Sequence, residues 1–130
     1  MRVKINIKRA YDPPSPADGL RVLVDRLWPR GVTKESLRLD TWVKDVAPSN
    51  ELRKRFHHDV SQWEEFRTQY MAYLRGHRPQ LEQLLTQAAK AGTLTLVYSA
   101  KETDHNNAVV LRDVLQEIQR SKGHRVRRAA

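Results

Sequence analysis

Two segments near the start of the chain show the alternation of a β-strand, and a proline-rich stretch separates them. In "RVKINIKRAY" the apolar residues alternate with lysines and an asparagine, which predicts a half-buried strand. The segment "LRVLVDRLW" predicts a central strand with Leu20, Val22 and Val24 on one face and Leu23 on the other. Between them "DPPSPADG" predicts a stiff loop without regular structure, because its prolines lack a main-chain donor.

The middle of the chain changes to helical spacing. Thr33 predicts the cap of one short turn over "KESL", and Ser49 predicts the cap of a helix over "NELRKRFHH". Ser61 and Glu64 have the capping-box spacing of a second helix start. The segment "LDTWVKDVAPS" remains open between a short strand and an extended stretch. The helix after Ser61 presents one face that we expect in the core, formed by Trp63, Phe66, Tyr70 and Leu74.

The last third predicts helix, strand and helix in turn. Apolar residues recur at helical spacing from Leu81 to Ala89, and Gly92 ends that helix. "TLTLVY" predicts a strand buried on both faces, and a final amphipathic helix runs from Ala108 to Ile118. This order predicts an α/β fold, with a small, mainly parallel sheet flanked by helices on both faces in a Rossmann-like layering. The roughly twelve residues between the first two strands leave little room for a crossover helix. The direction of the first strand therefore stays open.

Composition adds bounds on domain number and compartment. The chain has 130 residues, which suits a single domain, and it has no cysteine, so disulfides and thiolate sites are excluded. The net charge is +9, and five of the cations lie in the acid-free C-terminal segment. We therefore expect a domain over residues 1–119 and a basic tail over residues 120–130. Because "MRVKINIKRAYD" is not a signal sequence, we expect a cytoplasmic protein.

Charged and polar residues gather where the predicted strands end. In open α/β sheets, ligands bind beyond the carboxyl ends of the strands. Arginine side chains there can hold phosphate or carboxylate groups through two parallel hydrogen bonds. We therefore expect a site for an anion or a phosphorylated small molecule. Its ligand-binding residues would be Arg9, Arg26, Trp28, Arg30, Tyr98, Lys101 and Asn107.

Two residues of this region are weak candidates for catalysis. Asp25 would either orient Arg26 or Arg30 through an ion pair or act as a general base, and the first role is the commoner one beside arginines. Ser99 has the position of a nucleophile between a strand and a helix, yet "YSAKE" lacks the G-x-S-x-G elbow. Whether the protein is an enzyme stays open.

No cofactor or metal is expected from the sequence. It has no G-x-G-x-x-G fingerprint and no P-loop. His57, His58 and Asp59 lack metal-ligand spacing, so a charge role at a helix end is the better interpretation.

The segments "RVLVDRLWPRG", "KDVAPSNELRK" and "TLVYSAKETDHNNAVVL" resemble the YeaO-like branch of the bacterial domain-of-unknown-function family 488. The resemblance extends from Val3 to about Ile118. It implies a small cytoplasmic α/β protein without an established activity. Other branches look as though they carry cysteines where this chain has Ser99 and the asparagines near Asn107, so their thiol chemistry is not available here.

Three hypotheses about function follow. The first is an anion or phosphorylated-ligand site at the strand ends, with or without catalysis. The second is a nucleic-acid-binding module that uses the basic tail and loops. The third is a structural or interaction protein in which "DRLWPRG" is a corner that locks the sheet. No membrane partner is expected, and the oligomeric state is open.

Overall fold

Four strands form one parallel sheet, in agreement with the predicted α/β class. The computed structural model describes the main chain of residues 2–56 and 59–129, and side chains as far as Ser121. The strand order is β1-β4-β2-β3. The neighbouring pairs β1–β4, β4–β2 and β2–β3 are all parallel, which settles the direction of the first strand. The strands are β1 (Lys4–Arg9), β2 (Leu20–Leu23), β3 (Thr41–Trp42) and β4 (Thr93–Tyr98).

Helices cover both faces of the sheet, but unequally. Val22 and Val24 point into the larger core, which four helices complete, while Leu23 points into a smaller core with Leu37 and Val97. Among the described helices, α1 with its single turn is the one that packs on that second face. The helices are α1 (Lys34–Leu37) on the second face and α2 (Asn50–Phe56), α3 (Trp63–Arg75), α4 (Arg78–Ala89) and α5 (Asn107–Ala129) on the first.

The connection from β1 to β2 crosses β4 without a helix. It contains a short 3₁₀ turn, Pro16–Asp18, capped by Ser15, so the expectation of no regular structure was wrong there. Thr95 donates its hydroxyl to the carbonyl of Asp18 at 2.7 Å, which fixes the loop against β4. Gly19 has a φ of +63°, and a Cβ at this position would lie 2.3 Å from the carbonyl oxygen of Thr93. Because Gly19 has no side chain, the loop can pass close to β4 and reach β2 without the crossover helix that usually connects parallel strands.

A buried ion pair also fixes the loop between β1 and β2. Arg21 is 4% exposed and donates to Asp18 at 2.6 Å, and Lys8 contacts the same carboxylate at 3.2 Å. The Arg21 guanidinium also donates to the carbonyl of Leu37 at the end of α1. The buried cation is therefore both neutralised and hydrogen-bonded, as burial of a charge requires.

The helix starts agree with the predictions in two cases of three. Thr33 caps α1, and the Ser49 hydroxyl accepts the amide of Leu52. The capping box predicted at Ser61 was wrong: Asp59 accepts both the amide and the hydroxyl of Ser61, and this caps a 3₁₀ turn before α3. In a capping box the carboxylate of Glu64 would accept the amide of Ser61, but the carboxylate of Asp59 accepts it instead.

The last helix is longer than its apolar pattern predicts. The main chain of α5 continues to Ala129, through most of the segment expected to be a basic tail. Side chains after Ser121 lie outside the described residues, as does the structure of His57 and His58. No helix in the described parts of the chain is long and apolar enough to cross a membrane.

Candidate functional site

Asp25 lies at the centre of the rim formed by the carboxyl ends of the strands. Its Oδ2 accepts the amide of Ser99 at 2.9 Å and the Ser99 hydroxyl at 2.7 Å. Its Oδ1 accepts Nδ2 of Asn107 at 3.0 Å, and its carbonyl accepts the indole N–H of Trp42 at 2.7 Å. Asp25, which follows β2, therefore connects this strand with β3, the end of β4 and the start of α5.

This arrangement restricts the chemistry that Asp25 and Ser99 can perform. Asp25 contacts neutral donors and makes no ion pair with Arg26 or Arg30 among the described residues, unlike the orienting role expected from the sequence. Ser99 donates its proton to that carboxylate, and no histidine in the described parts of the chain contacts it. A nucleophilic serine requires a positioned base. Here the carboxylate of Asp25 accepts three hydrogen bonds, which connect the end of β2 with the end of β4 and the start of α5.

Arg9 reaches from the end of β1 across to the loop after β4. Its Nε donates to the carbonyl of Ala100 at 3.0 Å and its Nη2 to that of Ser99 at 3.5 Å. The guanidinium lies 5.0 Å from the ring centre of Tyr11, a cation–π distance. The Tyr11 hydroxyl donates in turn to the carbonyl of Arg30 at 2.9 Å, which connects the first strand to the turn after β2.

Arg26 turns the other way, toward the segment that follows β3. Its Nε donates to the carbonyl of Pro48 at 3.1 Å and its Nη2 to that of Ala47 at 3.4 Å. Arg9 and Arg26 thus use the same edge of the guanidinium for main-chain carbonyls. Within the described residues neither has an acidic partner, and neither has a hydrogen bond on Nη1. Both cations are held in position without being neutralised.

The two aromatic residues expected to bind the ligand, Trp28 and Tyr98, pack with the cores instead. Trp28 donates its indole N–H to the carbonyl of Val32 and packs edge-to-face on Trp42, with ring centres 5.5 Å apart. Tyr98 is 2% exposed and lies in the larger core. Burial raises the pKa of Tyr98, and the nearby Arg9 cation offsets part of that rise.

Arg30 and Lys101 are the exposed cations of the rim. Neither makes a side-chain hydrogen bond or an ion pair with any described residue. Together with Arg9 and Arg26 they lie at or after the ends of β1, β2 and β4, as do the acids Asp12 and Glu102, whose charges act on Tyr98.

Sequence reasoning missed two residues at the start of α5. Glu102 accepts the amides of Asp104 and His105 at 2.6 and 3.0 Å, and these bonds lower the pKa of Glu102. Asn106 is buried and accepts the amide of Val109, which makes it the helix cap. The signal was an asparagine directly before an apolar helix pattern.

The described residues contain no cluster of three His, Asp or Glu side chains that would hold a metal ion. Asp59 serves the helix start already described, and His57 and His58 lie outside the described residues. A groove of about 600 Å³ lies at the opposite end of the sheet from the rim, between β1 and α5.

Comparison with known proteins agrees with the resemblance in the sequence. A family described as "Inactive DUF488-N3 subclade" matches residues 4–129. The chain belongs to this DUF488 family. The uncharacterized protein YeaO of Escherichia coli (strain K12) is 49% identical over 116 residues, which cover 89% of this chain and all of that protein. The uncharacterized proteins Mb3100c of Mycobacterium bovis and Rv3073c of Mycobacterium tuberculosis are each 36% identical over 112 residues, 86% of this DUF488 chain and 93% of theirs. No solved structure matches the chain.

Proposed function

We propose that this DUF488 chain is a non-catalytic binding domain for a ligand that carries a carboxylate or phosphate group. Arg9 and Arg26 supply the fixed binding groups at the rim, and Arg30 and Lys101 add positive charge from exposed positions. Asp25 is the structural residue of the site rather than a base.

The fixed orientation of the two arginines carries this proposal. Main-chain carbonyls hold Arg9 and Arg26 by the Nε edge, and no acidic side chain among the described residues pairs with either. A guanidinium held in this way loses little side-chain entropy when it binds an anion, and its charge is not yet compensated. Elsewhere, by contrast, Arg67, Arg75 and Arg78 all pair with carboxylates.

Two observations favour binding without catalysis. The oxygens of Asp25 accept three hydrogen bonds, so the residue most suited to base chemistry is engaged in the fold. The matching family is itself described as an inactive subclade, which supports the same interpretation for its members.

The nucleic-acid hypothesis receives less support from the described side chains. Phe66 and Tyr70, which a stacking platform would need at the surface, are buried in the larger core. The cations of residues 122–130 lie beyond the described side chains, so the basic segment is tested by experiment below.

Thermal unfolding tests the proposal. The purified protein is heated with inorganic phosphate, small phosphate esters, dicarboxylates and short oligonucleotides, alongside Arg26→Ala and Arg9→Ala. Arg75→Ala is the matched control, because it removes an exposed arginine that is already ion-paired. We expect one class of small anion to stabilise the wild type by several degrees, since a ligand at 100 times its Kd contributes about 2.7 kcal/mol.

Both rim variants should lose that shift and the control should keep it. Equal shifts in Arg26→Ala, Arg9→Ala and the wild type would contradict the proposal. Stabilisation by oligonucleotides alone, which fades with salt, would replace it with the nucleic-acid hypothesis.

A further inference from the structure

The outer edge of β1 has unpaired main-chain groups. Lys4 donates its amide to the carbonyl of Gly92 and Ala10 donates to that of Tyr98, so the even-numbered residues of β1 face β4. Successive residues of a strand direct their main-chain groups to opposite sides. The N–H and C=O groups of Val3, Ile5 and Ile7 therefore point outward, away from the sheet.

Gln119 already imitates a neighbouring strand at one of these positions. Its Oε1 accepts the amide of Val3 at 2.7 Å, and its Nε2 donates to the carbonyl of Val3 at 3.0 Å. This is the same pair of hydrogen bonds that a residue of an added strand would make. No described residue makes such bonds with the outward groups of Ile5 and Ile7, the next two positions along the edge.

A positively charged groove lies along this edge. It has a volume of about 600 Å³ between β1 and the middle of α5. Among its lining residues are three cations and no acid, and none of the three makes an ion pair with a described residue. The lining is formed by Arg2, Val3, Lys4, Ile5, Asn6, Gln116, Gln119 and Arg120.

We propose that the outer edge of β1 binds an extended, acidic segment of another protein, which adds to the sheet as a fifth strand. Main-chain bonds to Ile5 and Ile7 would provide affinity, and Arg2, Lys4 and Arg120 would select acidic side chains. The six residues of β1 set the length of the segment, about 20 Å when extended.

The same charges disfavour a second copy of this chain as the occupant. If two β1 edges paired antiparallel with Ile5 of one copy opposite Ile7 of the other, Lys4 would lie across from Lys8, and like charges across a strand pair are destabilising. The groove lies at the opposite end of β1 from Arg9, and the main-chain groups of Ile5 and Ile7 are not part of the rim, so this inference stands apart from the proposed function.

The test uses the full chain and synthetic hexapeptides of alternating Glu and Val, with binding followed by fluorescence anisotropy at low salt. Two N-methylated versions serve as a matched pair. One is methylated on the amides of odd-numbered residues and the other on those of even-numbered residues, so only one version keeps the amides that face β1. We expect that version to bind and the other to lose binding. The amides of Ile5 and Ile7 should also exchange more slowly in the complex.

Charge reversal tests the selection of acidic segments. Lys4→Glu combined with Arg2→Glu should weaken binding by about tenfold or more, because each exposed ion pair is worth up to about 1 kcal/mol. Lys34→Glu on α1 is the control and should bind as the wild type does. Arg26→Ala should also leave peptide binding unchanged, so failure of the rim site and failure of this inference are distinguishable.

Three outcomes would overturn the inference. Equal binding of both N-methylated peptides would show an ionic contact without strand addition. Equal binding of a peptide with Lys in place of Glu would remove the acidic preference. Protection of Ile5 and Ile7 in a concentration-dependent dimer without peptide would identify a second copy as the occupant.

Discussion

Asp25 and Ser99 are 74 residues apart in the sequence, and the carboxylate of the first accepts both the amide and the hydroxyl of the second, at 2.9 and 2.7 Å. This contact joins the ends of the two central strands. Asn107 adds a third bond from the first turn of α5. The carboxylate of Asp25 is thus bonded within the fold, and it does not neutralise Arg9 or Arg26.

If Asp25 is structural, its loss should reduce stability. We expect Asp25→Ala to lower the free energy of unfolding by about 2 to 3 kcal/mol, because it removes bonds to a charged acceptor and leaves a half-buried amide unpaired. Ser99→Ala should cost about 1 kcal/mol. Urea denaturation measures both. A stable Asp25→Ala variant that no longer binds anions would instead assign Asp25 to the ligand.

Of the four glycines whose surroundings the structure describes, Gly19 should be the least replaceable. Gly19→Ala combines a φ of +63° with a clash against the carbonyl of Thr93, so we expect a loss of about 3 kcal/mol or more. Gly31→Ala is the matched control: its φ is +76°, but apart from its chain neighbours no described residue has an atom within 4 Å of the added methyl group. It should cost only about 1 to 2 kcal/mol. Equal losses in thermal or urea unfolding would show that the loop does not pass so close to β4.

Acid should weaken the corner at Asp18. Burial raises the pKa of this carboxyl, but hydrogen bonds from Ser15, Lys8 and Arg21 outweigh that effect and the pKa lies below its ordinary value. A lowered pKa contributes stability above the unfolded value of about 4, and that contribution is lost as the pH falls below it.

Urea midpoints from pH 7 to pH 2.5 measure this effect. Asp18→Asn should lose about 3 kcal/mol at pH 7, because Arg21 then stays buried without a counter-charge. Its stability should depend less on pH below 4 than that of the wild type. Parallel acid profiles for the two proteins would contradict the role of Asp18.

Gln119 should stabilise the junction between α5 and β1. Gln119→Ala removes two hydrogen bonds to Val3, so we expect a loss of about 1 to 2 kcal/mol and faster exchange of the Val3 amide. Gln116 lies one turn earlier in α5 and makes no hydrogen bond to Val3, so Gln116→Ala should leave the free energy of unfolding nearly unchanged. If both variants lose the same stability, side-chain packing rather than the imitation of a strand explains the effect.

Local patterns in the sequence predicted most of the elements. The alternation around Ile5, the buried run of β4 and the caps at Thr33 and Ser49 all depend on neighbouring residues, and the structure confirms them. The direction of β1 could not be predicted in the same way. It depends on a loop that crosses β4 through Gly19 and Thr95, two residues 76 positions apart.

The hydrogen-bond partners of the rim residues could not be predicted from the sequence for a related reason. The residues that follow β2 and β4 were expected on one edge of a parallel sheet, and the structure places them there; Arg9 joins them because β1 is also parallel, which the sequence left open. The partners were not predictable: Arg26 turns to Pro48 and Arg9 to Ala100, and both choices depend on where distant main-chain carbonyls lie unpaired.

The central claim is that anions bind the arginines of the rim, and nitrogen–proton correlation spectra of the whole protein test it directly. The Nε–H groups of Arg9 and Arg26 donate to carbonyls, which slows their exchange with water and favours their detection. Arg21 is an internal control, because its Nε is also hydrogen-bonded but buried in the Asp18 corner. Titration with inorganic phosphate should shift the Arg9 and Arg26 signals saturably and leave Arg21 unchanged. Shifts confined to other cations, or no saturable shift at the two rim arginines, would contradict the account.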